Sequence, residues 1–366
     1  MNWPALAIGT LLILTILWDA FETVVLPRSI VRKLRLTWLY YRATWTPVAA
    51  VARACPLASI RERLLAVYGP FSLIGLAALW ALGLCFGFAL LYWADGSALS
   101  MQGGKPSFGH DLYMSGTTLF TLGLGDVVPR GRLARVLAVI EAGTGFAFLA
   151  VVITYLPVLY QSFSRREVRL TLLDAWAGSP PCGLEVLRRL AGAGELSSMD
   201  EFFRDWEYWC ADVLESHISY PAIAYFRSQH QRQSWVSALT AVLDLAALAM
   251  AGVDGVPTFR ARLAFAMARH AAVDLSQVLS ARPDHDADRL PPGELERVRR
   301  DLEEAGLRPD RSPEAERRLV VIRRSYEPYV AGLSRHLSMP LPPWRRGADT
   351  EDNWQTSPKR DAASHF

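Results

Sequence analysis

One short stretch, residues 117–126, combines glycine with oxygen-bearing side chains between two long apolar runs. It contains two threonines, then Leu-Phe-Thr-Leu-Gly-Leu-Gly-Asp. Backbone that is not helical at membrane depth must be buried in protein or line a water-filled path. Gly123 and Gly125 alternate with larger residues, and glycine adopts left-handed backbone angles at little steric cost. Such alternation turns successive carbonyls toward one axis, where rings of carbonyls can replace the hydration shell of a cation.

This stretch resembles the signature of the pore-loop potassium channel family, Thr-Val-Gly-Tyr-Gly-Asp. Four positions match it residue by residue: Thr121, Gly123, Gly125 and Asp126. Leu122 takes the Val place, and Leu124 takes the Tyr place. The resemblance implies a selectivity filter that holds K⁺ at the four residues from Thr121 to Leu124. In the family, the Tyr helps to brace the filter against aromatic side chains of the pore helix, and Leu124 lacks its hydroxyl.

Three apolar runs that surround this loop or precede it are long enough to cross a bilayer as helices: residues 5–26, 67–93 and 136–160. Ser107 is a good N-cap for a short pore helix running to Leu119. The negative end of that helix dipole would favour a cation at the pore axis. The predicted class is an all-α membrane protein with three transmembrane helices, a re-entrant pore helix and filter, and an α-helical cytoplasmic C-terminal domain.

The segment between the first and second spans is strongly basic. Residues 27–66 hold eight basic residues and one acidic residue, and short basic loops stay cytoplasmic. The predicted protein therefore lies in a bacterial inner membrane, with its N-terminus outside and its C-terminus in the cytoplasm. Asp19 and Glu22 share one face at the end of the first span. They either form a solvated helix end or pair with arginines of the basic linker.

The part of the chain after the third span has a different composition. Polar and apolar residues alternate there at helical spacing, and residues 236–251 are apolar but short, which favours a buried core helix. No dinucleotide-binding glycine motif is present. His217, His230 and His270 lack Cys or carboxylate neighbours at metal-ligand spacing. The predicted segments are a first span 1–26, a basic cytoplasmic linker 27–66, a pore domain 67–163, a helical cytoplasmic domain 164–339 and a disordered tail 340–366.

Two groups of residues are candidates for supporting and opening the filter. Glu141 is the ionisable residue of the third span, and a carboxylate that faces lipid is costly. We expect it to bond the layer of Thr117 and Thr118 on the pore helix; the alternative is that it reaches the outer headgroups near Arg135.

Gly143 and Pro157 lie further along the same span and are candidates for a gating hinge, because glycine and proline are common sites of helix bending. Gly143 aligns approximately with the hinge glycine of the family. The alternative for Gly143 is close helix packing by small residues.

The function implied by the resemblance is a passive, potassium-selective channel that assembles as a homotetramer in the lipid bilayer. K⁺ is the permeating ion, and no cofactor is expected. A net charge of +3 argues against nucleic-acid binding, and we find no arrangement typical of an enzyme. Two alternatives stay open: a weakly selective cation channel, which Leu124 would permit, and a non-conducting membrane sensor that signals through the helical domain. Neither the gating stimulus nor a regulatory ligand is readable from the sequence.

Overall fold

The structure, a computed structural model, describes residues 1–26, 35–101, 106–230, 232–347 and 352–353. The chain divides into two compact units, Met1–Gln161 and Ser162–Phe366. Helices dominate both units, and the predicted all-α class is confirmed. Among the described residues, four helices are long and apolar enough to cross a membrane.

The first unit surrounds the candidate filter with long helices. Its elements are α1 (Trp3–Val24), α2 (Leu36–Ala54), α3 (Ala58–Ala94), β1 (Leu99–Met101), α4 (Phe108–Leu119), β2 (Val127–Pro129) and the first part of α5 (Arg132–Ala177). The two short strands pair antiparallel, with Leu99 opposite Pro129. They join the chain before α4 to the chain after the candidate filter.

Glycines allow α1 and α3 to pack closely. A Cβ atom added at Gly9 would lie 2.8 Å from the carbonyl oxygen of Gly87, and one added at Gly87 would meet the side chain of Ile13. Small residues let membrane helices approach one another in this way. The helix that precedes the pore domain is therefore packed directly on its first helix.

The two acidic residues at the end of α1 are buried. Asp19 is 4% exposed and accepts hydrogen bonds from Thr37 of α2 and from Trp80 of α3, the latter at 2.9 Å. Glu22 is 6% exposed and lies 3.3 Å from Arg35. The solvated alternative is therefore wrong, and the predicted pairing with an arginine of the linker is confirmed for Glu22.

Two helices extend past their predicted ends. α3 begins at Ala58 rather than at residue 67. α2 is a further helix inside the basic linker. Residues 27–34 of this linker lie outside the described part of the chain. α5 runs through the predicted boundary at residue 164 to Ala177. Neither Gly nor Pro occurs between residues 158 and 177, so nothing breaks the helix before Gly178, whose φ is +74°.

The second unit is a helical domain built around a buried helix. After the end of α5 it contains α6 (Gly183–Ala193), α7 (Met199–Ser219), α8 (Trp235–Gly252), α9 (Thr258–Val278), α10 (Pro292–Glu304), α11 (Pro313–Arg324) and α12 (Glu327–Leu337). α8 is buried within this unit, as predicted for a core helix. Its one carboxylate, Asp244, accepts two hydrogen bonds from Arg289 and one from Tyr326.

The chain after α12 is held against this domain. Trp344 is 3% exposed, and Arg345 forms an ion pair with Asp301. Asp352 is also buried and accepts a hydrogen bond of 2.7 Å from Arg189. The prediction of disorder from residue 340 is therefore wrong for residues 340–347, because their aromatic and charged side chains find partners. Residues 348–351 and 354–366 lie outside the described part of the chain.

Candidate functional site

The loop after α4 has left-handed backbone angles at every second residue. The φ values are +56° at Thr121, +57° at Gly123 and +78° at Gly125, whereas Leu122 and Leu124 keep negative φ. A positive φ is strained for a β-branched residue, so the surroundings must hold Thr121 in this conformation. The alternation that the sequence suggested is thus present along the whole candidate filter.

Hydrogen bonds fasten this loop to α4 at both ends. At its beginning, the N–H of Leu122 donates to the carbonyl oxygen of Thr117 at 2.8 Å, and the N–H of Thr121 donates to that of Thr118 at 3.0 Å. At its end, the hydroxyl of Tyr113 donates to Asp126 at 2.9 Å. The bond between Tyr113 and Asp126 was not predicted from the sequence.

One side of the loop faces open space in the single chain. Leu122 and Leu124 are 62% and 65% exposed. A Cβ atom added at Gly123 or Gly125 would meet nothing within 4 Å among the described residues. The loop therefore has a supported side, toward α4, and an unsupported side. Large exposed apolar side chains of this kind mark a surface that another protein or lipid covers.

Glu141 of α5 is completely buried behind α4. Tyr92 of α3 donates to its Oε2 at 2.8 Å, and the hydroxyl of Ser115 of α4 donates to its Oε1. The predicted partners were Thr117 and Thr118, and this detail is wrong: the Thr117 hydroxyl donates to the carbonyl of Met114 in its own helix. Glu141 thus bonds α4 at Ser115, two positions nearer the start of the helix than Thr117.

The alternative placement of Glu141 near the headgroups is also wrong. Its exposed fraction is 0%, and Arg135 donates instead to the carbonyl of Pro129 at 3.4 Å. A buried carboxyl group needs hydrogen-bond partners because its desolvation is costly. The tyrosine and serine hydroxyls supply them, so three helices meet at this one side chain.

The start of α4 is also fixed by polar contacts. Asp111 is buried in the first helical turn and accepts a hydrogen bond of 2.6 Å from Ser97, which follows α3. The helix begins directly after Ser107, as predicted, but the Ser107 hydroxyl contacts the ring of His110 rather than capping a backbone N–H. The positive end of the helix dipole stabilises an acidic side chain in the first turn.

The two glycines of α5 differ in their surroundings. A Cβ atom added at Gly145 would collide with the backbone of Leu119, at the end of α4, whereas one added at Gly143 would meet nothing within 4 Å in the described chain. Close packing by a small residue therefore applies to Gly145 rather than to Gly143. Pro157 lies within α5, which continues on both sides of it.

Side chains offer little for metal binding elsewhere. Within the described ranges, no group of three His, Cys, Asp or Glu side chains is placed to hold a metal ion. The oxygen atoms that could line up toward a cation are the backbone carbonyls of the loop and the hydroxyl of Thr121. Carbonyl rings of this kind can take the place of a cation's water shell.

Together these features define a helical membrane protein with a glycine-rich loop directly after the short helix α4. Residues 79–161 match the family model described as "Ion channel". The matched segment contains the second half of α3, the pore helix, the loop and the adjoining part of α5. The predicted resemblance of this segment to pore-loop channels is confirmed, and the match supports an ion-channel function for it.

The chain is also similar to a protein of Bacillus subtilis (strain 168), the uncharacterized membrane protein YdjJ. The two are 27% identical over 186 residues, which are 50% of this chain and 53% of YdjJ. The chain therefore matches about half the length of this curated relative. No solved structure gave a significant match.

Proposed function

We propose that this chain is the subunit of a potassium-selective channel that conducts K⁺ passively through the loop 121–126. The observation that carries the proposal is the left-handed backbone at Thr121, Gly123 and Gly125. With this alternation, consecutive carbonyl groups can face one axis. The permeating ion would then lie between oxygen atoms of residues 121–124, with the Thr121 hydroxyl adding the innermost ring.

Four copies of the chain would form the pore, one loop from each. The exposed side of the loop supports this assembly, because Leu122 and Leu124 present large apolar side chains to open space in the single chain. Carbonyls from one chain cannot surround an ion, whereas four such loops can. The assembly proposed is a homotetramer in the lipid bilayer, with no nucleic acid and no cofactor as partner.

The proposed orientation places the C-terminal unit in the cytoplasm and the N-terminus outside the cell membrane. The basic linker supports it, since short basic loops stay cytoplasmic. A smaller set of basic residues near the outer end of α5 opposes this orientation: Arg130, Arg132 and Arg135. The linker carries eight basic residues and outweighs this group. Asp126 would then lie at the outer mouth of the filter.

Gating would use the flexible positions of α5. Gly143 has room around it within its chain, so its small size does not serve a close contact there, which favours a hinge. Pro157 removes a backbone hydrogen bond inside the helix and supplies a lower bend. Gly145 has the different role of letting α5 approach the end of the pore helix.

A weakly selective cation channel is the second candidate, and one observation favours it. Leu124 stands where the family has a tyrosine, and its side chain is 65% exposed rather than braced within the chain. A filter held less firmly would discriminate less between K⁺ and Na⁺. The bond between Tyr113 and Asp126 favours selectivity for K⁺ instead, since it ties the outer end of the loop to the pore helix.

Ion flux into vesicles tests the proposed function. The purified chain is reconstituted into liposomes, and uptake is measured separately for K⁺ and Na⁺. We expect K⁺ uptake that greatly exceeds Na⁺ uptake and that disappears in Gly123→Ala. Equal uptake of both ions would support the weakly selective channel, and no uptake of either ion in the wild-type protein would support a non-conducting sensor.

A further inference from the structure

The C-terminal unit encloses one arginine of α5 completely. Arg166 has an exposed fraction of 0%. Its guanidinium donates to the carbonyl oxygen of Ile223 at 3.2 Å and to that of Phe226 at 2.9 Å. These carbonyls belong to the 3₁₀ turn Pro221–Tyr225 and the residue after it. Arginine is rarely buried this fully unless its charge is paired, so the site is built around this side chain.

A histidine of α7 completes the enclosure. His217 is also fully buried, and its Nδ1 lies 2.8 Å from the carbonyl oxygen of Val213, which can only accept. Nδ1 therefore carries the proton, and Nε2 accepts from Arg166 at 3.2 Å. Burial first, and the neighbouring guanidinium second, hold the pKa of His217 well below its usual range. The ring is thus neutral and serves as an acceptor.

The charge of Arg166 is balanced by its neighbour in the chain. Glu167 accepts from the Nε of Arg166 at 3.0 Å and also from Ser228 at 3.2 Å. The ring of Phe163 lies beneath the guanidinium, 5.1 Å from its central carbon. All three guanidinium nitrogens therefore have partners. We call the acceptors from other elements, His217 and the carbonyls of Ile223 and Phe226, the Arg166 socket.

The arginines on either side in α5 are bound differently. Arg165 and Arg169 have side chains 60% and 41% exposed, and they form ion pairs with Asp212 and Asp205 of α7. Exposed ion pairs contribute little to stability. Removing a donor from a buried network costs much more, because it leaves carbonyl and imidazole groups unsatisfied. Within the C-terminal unit, the end of α5 is therefore held most firmly at Arg166.

We propose that the Arg166 socket couples the C-terminal unit to the gate. The inference rests on the proposed channel function, in which α5 carries the gating positions Gly143 and Pro157. Arg166 is a positioning residue: it fixes the far end of the same continuous helix that carries Glu141 and Gly145 beside the filter. A rearrangement of α7 or of the 3₁₀ turn would then move the end of α5, because breaking the buried hydrogen bonds of Arg166 would leave polar groups unsatisfied.

The test compares Arg166→Met with Arg169→Met in the full-length protein. Both substitutions remove a positive charge from the same helix, but only the first empties the socket. Single-channel recording measures open probability, conductance and selectivity. Coupling between sites typically changes an equilibrium about 5- to 150-fold. We expect a change in open probability of at least about 5-fold in Arg166→Met, none in Arg169→Met, and unaltered conductance and selectivity in both.

His217→Phe and the double variant separate coupling from simple damage to the domain. Residues of one network have non-additive effects, so Arg166→Met should add little to the effect of His217→Phe on open probability. Additive effects would contradict the proposal. It would equally be overturned if Arg166→Met lowered the melting temperature of the protein but left open probability at the wild-type value.

Hydrogen exchange distinguishes failure of this inference from failure of the channel function. If the wild-type protein carries no current, the proposed function is wrong, but exchange in α5 can still be compared. We expect Arg166→Met to raise exchange in peptides covering residues 132–157, well before the substitution, and Arg169→Met to leave them unchanged. Exchange that rises only within residues 162–230 would show a purely local role for Arg166.

Discussion

Tyr92 and Glu141 are both completely buried, and the tyrosine hydroxyl donates to the carboxyl group at 2.8 Å. The first lies on α3 and the second on α5, the two helices on either side of the pore helix in the sequence. Because Ser115 of the pore helix donates to the same carboxyl group, one side chain joins all three. The candidate filter has leucine rather than tyrosine at position 124, and this cluster holds α4, the helix that leads into it.

The first prediction concerns this cluster. Glu141→Gln keeps the size and a carbonyl acceptor and should be mild, whereas Glu141→Leu leaves the hydroxyls of Tyr92 and Ser115 without an acceptor. Each unsatisfied buried group costs about 1–3 kcal/mol. We expect Glu141→Leu to lower the melting temperature of the assembly and to destabilise conduction. Single-channel current, selectivity and melting all equal to wild type in Glu141→Leu would show that Glu141 does not support the filter.

The second prediction separates the two glycines of α5. Gly145→Ala places a methyl group against the backbone of Leu119, so the pore helix must shift and conduction should fall strongly. Gly143→Ala meets no such obstacle within the chain and should leave conductance unchanged while it alters open probability. Single-channel recording of both variants provides the measurement. A hinge at Gly143 would be excluded if open probability were unchanged in both Gly143→Ala and Pro157→Ala.

The third prediction concerns the outer end of the filter. Tyr113→Phe removes only the hydroxyl that donates to Asp126, a contribution of about 0.5–1.5 kcal/mol for a typical hydrogen bond. The outer carbonyls should become less firmly held, and the permeability ratio of K⁺ to Na⁺ should fall. Tyr208→Phe, on an exposed site of α7, is the control. Equal ratios in the wild type and both variants would show that the bond does not contribute to selectivity.

The left-handed loop and the helices around it could be predicted from the sequence because their signals are local. Thr121, Gly123 and Gly125 stand within five positions of one another, and the structure gives each a positive φ. The core position of α8 was likewise predictable, because residues 236–251 are too short for a typical transmembrane span and too apolar for an ordinary surface helix. For Glu22 the sequence left two alternatives open, a solvated helix end and a pairing with a linker arginine, and the structure shows the pairing.

Contacts between distant parts of the chain were not predictable in the same way. Glu141 bonds residues 26 and 49 positions away, and nothing local distinguishes Ser115 from Thr117 or Thr118 as its partner. Helical register decides which hydroxyl faces α5. The prediction of a disordered tail was wrong for a similar reason. The Pro-rich, polar composition suggested disorder, whereas Trp344 is buried in the C-terminal unit.

The most direct test of the central claim is the reversal potential of single channels with K⁺ on one side of a planar bilayer and Na⁺ on the other. A carbonyl-lined filter predicts a potential far toward the K⁺ equilibrium value. It also predicts no current in Gly123→Ala, because a side chain at φ +57° is strained, although tetramers still form. A reversal potential that does not discriminate between the two ions, or normal K⁺ current through Gly123→Ala, would contradict the account.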